Sequence, residues 1–325
     1  MKKLLWLILA VVCAMSFTAF GCGKPDDPNN GGGETNPLTV SMTETTTIAK
    51  PNVGVILYAT ASDSSATVDF TFENGEKTTT NASIGVIDGK QYVRATEEGS
   101  YVVKATATKG EETANATATI TVSDDTKFAD IYNVGYSPDT GHPVPSNYAH
   151  TVVGKGVYYY DNNGSCENAI CFQDIWALNG EQAYAGNFEL TLSVKLLPQT
   201  ANNSLSTIFM GWFAGPNSLG DVFKLTRGGK VSICGVEASG TVDLSNTLYI
   251  KIARFVGADN TTFAVFTSTD GASYNFFAKQ EMANKNGTDD TFMNYDLTGF
   301  NIFSQTPVAF GSYTASSTVT VQLPA

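Results

Sequence analysis

Phe188-Glu189-Leu190-Thr191-Leu192-Ser193-Val194-Lys195-Leu196 decides the fold. Apolar side chains take every second position, and Glu189, Thr191, Ser193 and Lys195 fill the places between. A period of two sends alternate side chains to opposite faces of an extended chain, so the run predicts a long, half-buried β-strand. Working outward, the same pattern returns. Asp221 to Thr226 and Lys230 to Val236 predict a hairpin around Arg227-Gly228-Gly229. Leu248 to Val256 and Thr262 to Thr269 predict another, with Gly257-Ala258-Asp259-Asn260 at the turn. Val319, Val321 and Leu323 predict a closing strand. No stretch between 126 and 325 sustains a 3.6-residue period with helix caps. Evenly spaced strands over that length predict a double-sheet sandwich or jelly roll.

Residues 38–123 carry a second all-β pattern. Val53, Val55 and Leu57 alternate, as do Val68, Phe70 and Phe72, and Tyr101, Val103 and Ala105. Asn74-Gly75, Asp88-Gly89 and Glu98-Gly99 fall between the runs as turn signals, glycine supplying the positive φ such turns need. Asp124-Asp125-Thr126 breaks the pattern before the larger segment, 126–325, begins. The reading is therefore all-β, with two modules expected at 38–123 and 126–325.

Composition agrees. Hydrophobic residues make up 42% of the 325 and charged residues only 15%, so uncharged Thr, Ser and Asn must cover the surface. Those residues suit strand faces and turns. The net charge of −12 repels nucleic acid and anionic headgroups, so no nucleic-acid partner is expected.

The N-terminus predicts location. Met1-Lys2-Lys3 is basic, Leu4 to Val12 is almost wholly apolar, and small residues Ala19 and Gly21 precede Cys22. That order is the layout of a secretory signal, too short for a comfortable membrane span. Ala19-Phe20-Gly21-Cys22 resembles the lipobox of bacterial lipoproteins, with Ala19 in place of the more usual Leu. The resemblance implies a signal peptide over 1–21, lipidation of Cys22, and an extracytoplasmic, membrane-anchored protein. Residues 22–37 (CGKPDDPNNGGGETNP) hold little that can be buried and read as a flexible tether. Asp26-Asp27 resembles an acidic signal that routes some lipoproteins to the outer surface.

Two further resemblances concern fold. Glu97 to Ala107 followed by Ala116 to Val122 resembles the last two strands of bacterial Ig-like domains, which implies a spacer with no chemistry of its own. Leu248 to Arg254, then Phe263 to Tyr274 with its Ser268-x-Asp270-Gly271 turn, resembles adjacent strands of concanavalin A-like (laminin-G-like) jelly rolls. Val308 to Tyr313 with Val319 to Leu323 would be that fold's closing pair. One such fold hosts lectins, enzymes and adhesion domains, so the resemblance implies fold and not activity. Asp270 itself reads as a hairpin-turn residue.

Catalysis finds little support in the residues. The jelly-roll glucanases usually carry a Glu-x-Asp-x-Glu stretch, which is absent. Asp289-Asp290 and Asp124-Asp125 are adjacent pairs that a strand would split between faces, and Gly-x-Ser-x-Gly is missing. An enzyme is the third choice. Sugar binding needs less, since flat aromatics stack on ring faces and amides or carboxylates meet hydroxyls. Tyr158, Tyr160, Trp176, Tyr184, Trp212 and Asn217 supply that mixture and are the expected ligand-binding residues. Glycan binding by the C-terminal jelly roll is the expected function, with a protein-binding adhesion or structural role as the alternative. Calcium is common in the jelly-roll family, and Asp161 and Asn163 in an oxygen-rich run are its weak candidates. They lack EF-hand spacing, and a plain turn is the simpler reading. No other cofactor is expected. Cys166 and Cys171 are close enough in sequence to form a disulfide, whereas Cys234 reads as a buried thiol.

Overall fold

The computed structural model describes residues 36–43, 46–126, 131, 149–161, 187–199, 207–213, 219–283, 299–304, 306–311 and 314–324. The chain divides after Pro37, and Leu38–Ala325 forms one compact unit. In chain order the strands are β1 (Val40–Met42), β2 (Thr46–Ala49), β3 (Gly54–Ile56), β4 (Ala59–Ala61), β5 (Thr67–Phe72), β6 (Ala82–Ile87), β7 (Lys90–Ala95), β8 (Gly99–Lys109) and β9 (Glu112–Val122). There follow β10 (Thr151–Gly154), β11 (Val157–Tyr160), β12 (Phe188–Leu196), β13 (Thr207–Phe213), β14 (Leu219–Thr226), β15 (Lys230–Ile233) and β16 (Val236–Thr241). The last are β17 (Leu248–Val256), β18 (Asn260–Ser268), β19 (Asn275–Ala283), β20 (Gly299–Ser304), β21 (Val308–Phe310) and β22 (Thr314–Ser316). The protein is an all-β, sandwich-like fold.

One long sheet organises the unit. Its order is β19-β18-β17-β12-β21-β11-β10-β3-β7-β6, with β22 added beside β12. Beside it are a four-stranded sheet, β2-β9-β8-β5, a five-stranded sheet, β16-β15-β14-β13-β20, and a two-stranded sheet, β1-β4. Core side chains from the three larger sheets form one contiguous cluster, including Phe70, Val103 and Ile120 together with Leu190, Ile252 and Phe223. The period-two reading explains it: Phe188, Leu190, Leu192 and Val194 are each at most 1% exposed. Burying a side chain of this size contributes roughly 1.5–3 kcal/mol.

The segments expected as separate modules share the long sheet. Strand β10 lies parallel to β3, with Val152 opposite Gly54 and Val153 opposite Val55. Gly54 permits this approach, because a Cβ there would stand 2.8 Å from both Tyr92 and Val152. On the face away from the main core, Ile56 and Ile87 from one segment pack with Val152, Tyr159, Leu197 and Ala309 from the other. Asp88, at the β6–β7 turn, accepts two 2.7 Å hydrogen bonds from Lys195 of β12. This ion pair is partly exposed and worth about 1 kcal/mol at most. The apolar cluster therefore carries the junction.

Among the described residues, three two-residue hairpins have positive φ at both central residues: Asp88-Gly89, Lys155-Gly156 and Cys234-Gly235. These are the turns whose twist matches that of the flanking strands. Cys234 is thus a turn residue beyond the end of β15, not part of the strand run. Its thiol is still half-buried, and burial pushes it up to about 12.

The closing strand expected at Val319 to Leu323 is different in the structure. Strand β22 pairs instead with Glu189–Thr191 of β12. Residues 317–324 then pair with no described strand and cross the outer face of the long sheet. Their alternating apolar row packs on Ala253, Ala264 and Phe266. Alternation records one buried face, and a strap on a sheet has one just as a strand does.

Candidate functional site

The strap makes a site. Glu189 points away from the core, as its place in the alternation requires, yet it is only 6% exposed because the strap covers it. Its Oε2 accepts from the Thr320 amide at 2.7 Å and the Val321 amide at 3.3 Å. Its Oε1 accepts from Lys251 Nζ at 2.8 Å, and the Thr320 hydroxyl lies 2.9 Å away. Lys251 also donates to Thr320 Oγ1 at 2.7 Å and sits 4.7 Å from the centre of the Tyr274 ring. Burial pushes the Glu189 carboxyl up, but hydrogen bonds from Lys251 and Thr320 outweigh it and hold the group below its ordinary value.

The opposite wall comes from the β18–β19 connection. Ser268 Oγ donates to Asp270 Oδ1 at 2.7 Å and accepts from the Gly271 amide at 2.9 Å. Asp270 Oδ1 in turn accepts from Ser273 and Ala272 amides at 2.9 and 2.8 Å. The bond from Ser273, then those from Ser268 and Ala272, lower the Asp270 carboxyl to about 2. Asp270 is a turn residue, as read. Gly271 has a φ of 73°, and a Cβ there would meet the Tyr249 ring at 2.9 Å, so the turn seats directly on that ring. Beyond it, a register shift between Val265 and Phe266 leaves one extra residue on β19 and sets Phe276 opposite Phe266. Bulges re-aim side chains in this way. Phe276 meets Phe266 edge to face at 5.7 Å while remaining 39% exposed.

Between these walls lies a groove of about 490 Å³, with Lys251 and Phe266 at its base. Tyr274, Asn275 and Phe276 from the β18–β19 connection and β19, and Thr320, Gln322 and Pro324 from the strap, line it. Its size suits a small ligand or a few units of a polymer. Aromatic rings, two amides and a hydroxyl line it together, a mixture that sugar recognition uses. Burial first, then the charges of Glu189 and Asp270, raise the Tyr274 phenol, so Tyr274 enters as a neutral donor.

Tyr158 and Tyr160, expected from sequence to bind ligand, do not line this groove. Tyr158 and Tyr160 are each 1% exposed and belong to the core. Tyr158 lies 6.5 Å from Phe310 and its hydroxyl is 3.0 Å from Thr151 Oγ1. Rings so enclosed give no face to a ligand, and their assignment to binding is corrected. Tyr159 is buried too, because the sheet is covered on both faces where β11 passes. Trp212 lies on β13, its backbone opposite Phe300 of β20, and its side chain is outside the described residues. Trp176, Tyr184, Asn217, Asn163, Cys166, Cys171 and Cys22 also fall outside them. Asp161 is described, and its amide donates to the His150 carbonyl at 2.9 Å. Among the described residues no three His, Cys, Asp or Glu side chains gather as a metal site. The sequence signal that was missed is the second row of β17, Tyr249-x-Lys251-x-Ala253-x-Phe255. A face that half apolar needs a cover.

No family model matches the chain, and no curated protein matches it. Several solved structures show partial likeness. A bifunctional GH43-CE protein of Bacteroides eggerthii is 10% identical, with a TM-score of 0.36, over 81% of this chain and 46% of its own. A Trypanosoma rangeli sialidase is 10% identical, with a TM-score of 0.27, over 73% and 42%. Fibronectin(III)-like modules of Clostridium thermocellum CbhA are 9% identical, with a TM-score of 0.21, over 75% and 92%. At these scores no function passes from them to this protein.

Proposed function

We propose that this protein is a lipid-anchored, surface-exposed bacterial lipoprotein whose C-terminal jelly roll binds glycan without cleaving it. Residues 38–123 would serve as an Ig-like spacer, and Cys22 would carry the lipid. The observation that supports the reading is the groove, lined by an exposed Phe276 ring, Tyr274, and the Asn275 and Gln322 amides. A sugar ring would lie on Phe276 while its hydroxyls meet the amides. The mechanism is stacking plus orientation, and each stacked ring is worth about 1 kcal/mol beyond the area it covers.

A glycan array with the intact protein tests it. Phe276→Ala should weaken binding about tenfold or more while leaving the fold intact. Tyr158→Phe should do the reverse, costing about 1 kcal/mol of stability through the hydroxyl it shares with Thr151 and leaving binding unchanged. Retention of a protein partner with no glycan retained would favour the adhesion reading instead.

A further inference from the structure

Resting on the glycan reading above, we infer that the groove takes an uncharged glycan and discriminates against polymers bearing carboxylate or sulfate. Proteins that hold anionic sugars do so with cations whose N–H donors are unclaimed, because a charge-assisted bond must repay the desolvation of both charges. The cation of this groove is already committed. Lys251 Nζ has three donors. One goes to Glu189 at 2.8 Å, one to Thr320 at 2.7 Å, and the ring face of Tyr274 lies 4.7 Å away.

The pair is also sheltered. The Lys251 side chain is 15% exposed and that of Glu189 6%, so water screens their mutual neutralisation poorly. An anion brought to Lys251 would have to compete with Glu189, which already neutralises it, and would approach the charge of Asp270 on the turn above Tyr249. The chain as a whole carries −12, which adds a long-range repulsion. A neutral ring meets none of these penalties. Asn275 and Gln322 each offer both donor and acceptor atoms, which matches hydroxyls that are both as well.

The test is affinity electrophoresis of the intact protein against two sets of soluble polymers. Laminarin, galactomannan and glucomannan form the neutral set; polygalacturonate, alginate and chondroitin sulfate form the anionic set. A neutral polymer should be bound about tenfold or more tightly than any anionic one at low salt. Its affinity should change less than about twofold between roughly 20 and 500 mM NaCl, since no ion pair is formed. Asn275→Lys places an uncompensated cation on the exposed wall, at the start of an edge strand where it does not disturb the core. It should raise affinity for anionic polymers about tenfold at low salt. Equal or tighter binding of anionic polymers by the unaltered protein overturns the inference while leaving glycan binding in place. So does an Asn275→Lys variant with no such gain. Binding of neither set removes the glycan reading itself, and this inference with it.

Discussion

Gly229 and Gly235 have nearly the same backbone, with φ of 76° and 79°, but different surroundings. A Cβ on Gly229 would run into the Val242 carbonyl, whereas one on Gly235 meets nothing within 4 Å. Gly235→Ala should thus cost only the left-handed conformation, about 1 kcal/mol. Gly229→Ala should cost at least about 2 kcal/mol, because backbone must shift as well. Urea denaturation of the two variants checks the difference, and equal losses would show that the Val242 contact does not matter. Cys234 gives a second prediction at this scale. Its thiol, raised to about 12 by burial, stays protonated at pH 8 and should react with iodoacetamide far more slowly in the folded protein than in urea. Single residues were the hardest part of the molecule to read from sequence. Asp88-Gly89 announced its turn, but Lys155-Gly156 and Cys234-Gly235 adopt the same one without the usual Asn or Asp. Tyr158 and Tyr160 were legible as a pair sharing a face; that the face was inward depended on partners more than a hundred residues away.

Among the elements, the strap of residues 317–324 and its anchor Glu189 decide the site. A carboxyl held below 4.5 in the folded protein contributes stability above that value, and loses it as pH falls through the lowered folded-state value. The melting temperature should therefore drop below about pH 4.5. Asp63, Asp69, Asp243 and Asp270 are lowered too and add to the acid loss. The difference between the protein and its Glu189→Gln variant isolates Glu189. The variant should be less stable by about 2 kcal/mol or more at pH 7, since Lys251 loses its counter-charge, and the gap should narrow toward pH 3. A gap that stays constant with pH would remove Glu189 from this role. Strand positions were largely legible: β12, β14, β17 and β18 lie within a few residues of their expected bounds. What periodicity could not supply was a partner. Val319-x-Val321-x-Leu323 has the rhythm of a strand, yet hydrogen bonding to a side chain holds it in place of a neighbouring backbone.

At the scale of the whole molecule, the long sheet makes residues 38–325 one unit, and unfolding should reflect it. Tryptophan fluorescence and far-ultraviolet circular dichroism should give coincident denaturant transitions. Gly54→Val, which forces a side chain between Tyr92 and Val152, should separate them into two. Two transitions in the unaltered protein would show that the junction adds no cooperativity. The all-β character of both segments was visible from their strand patterns, but not the pairing that joins them. Parallel pairing of β3 with β10 links residues about a hundred positions apart, and no local pattern encodes it.

That junction also sets how the protein would bear load. Only two residue pairs align where β10 meets β3, so a force running along the long sheet from its β19 end to its β6 end meets few hydrogen bonds at this neck. The apolar cushion of Ile56, Ile87, Tyr159 and Ala309 then acts as a clamp, giving the neck a breaking strength that its few hydrogen bonds alone would lack.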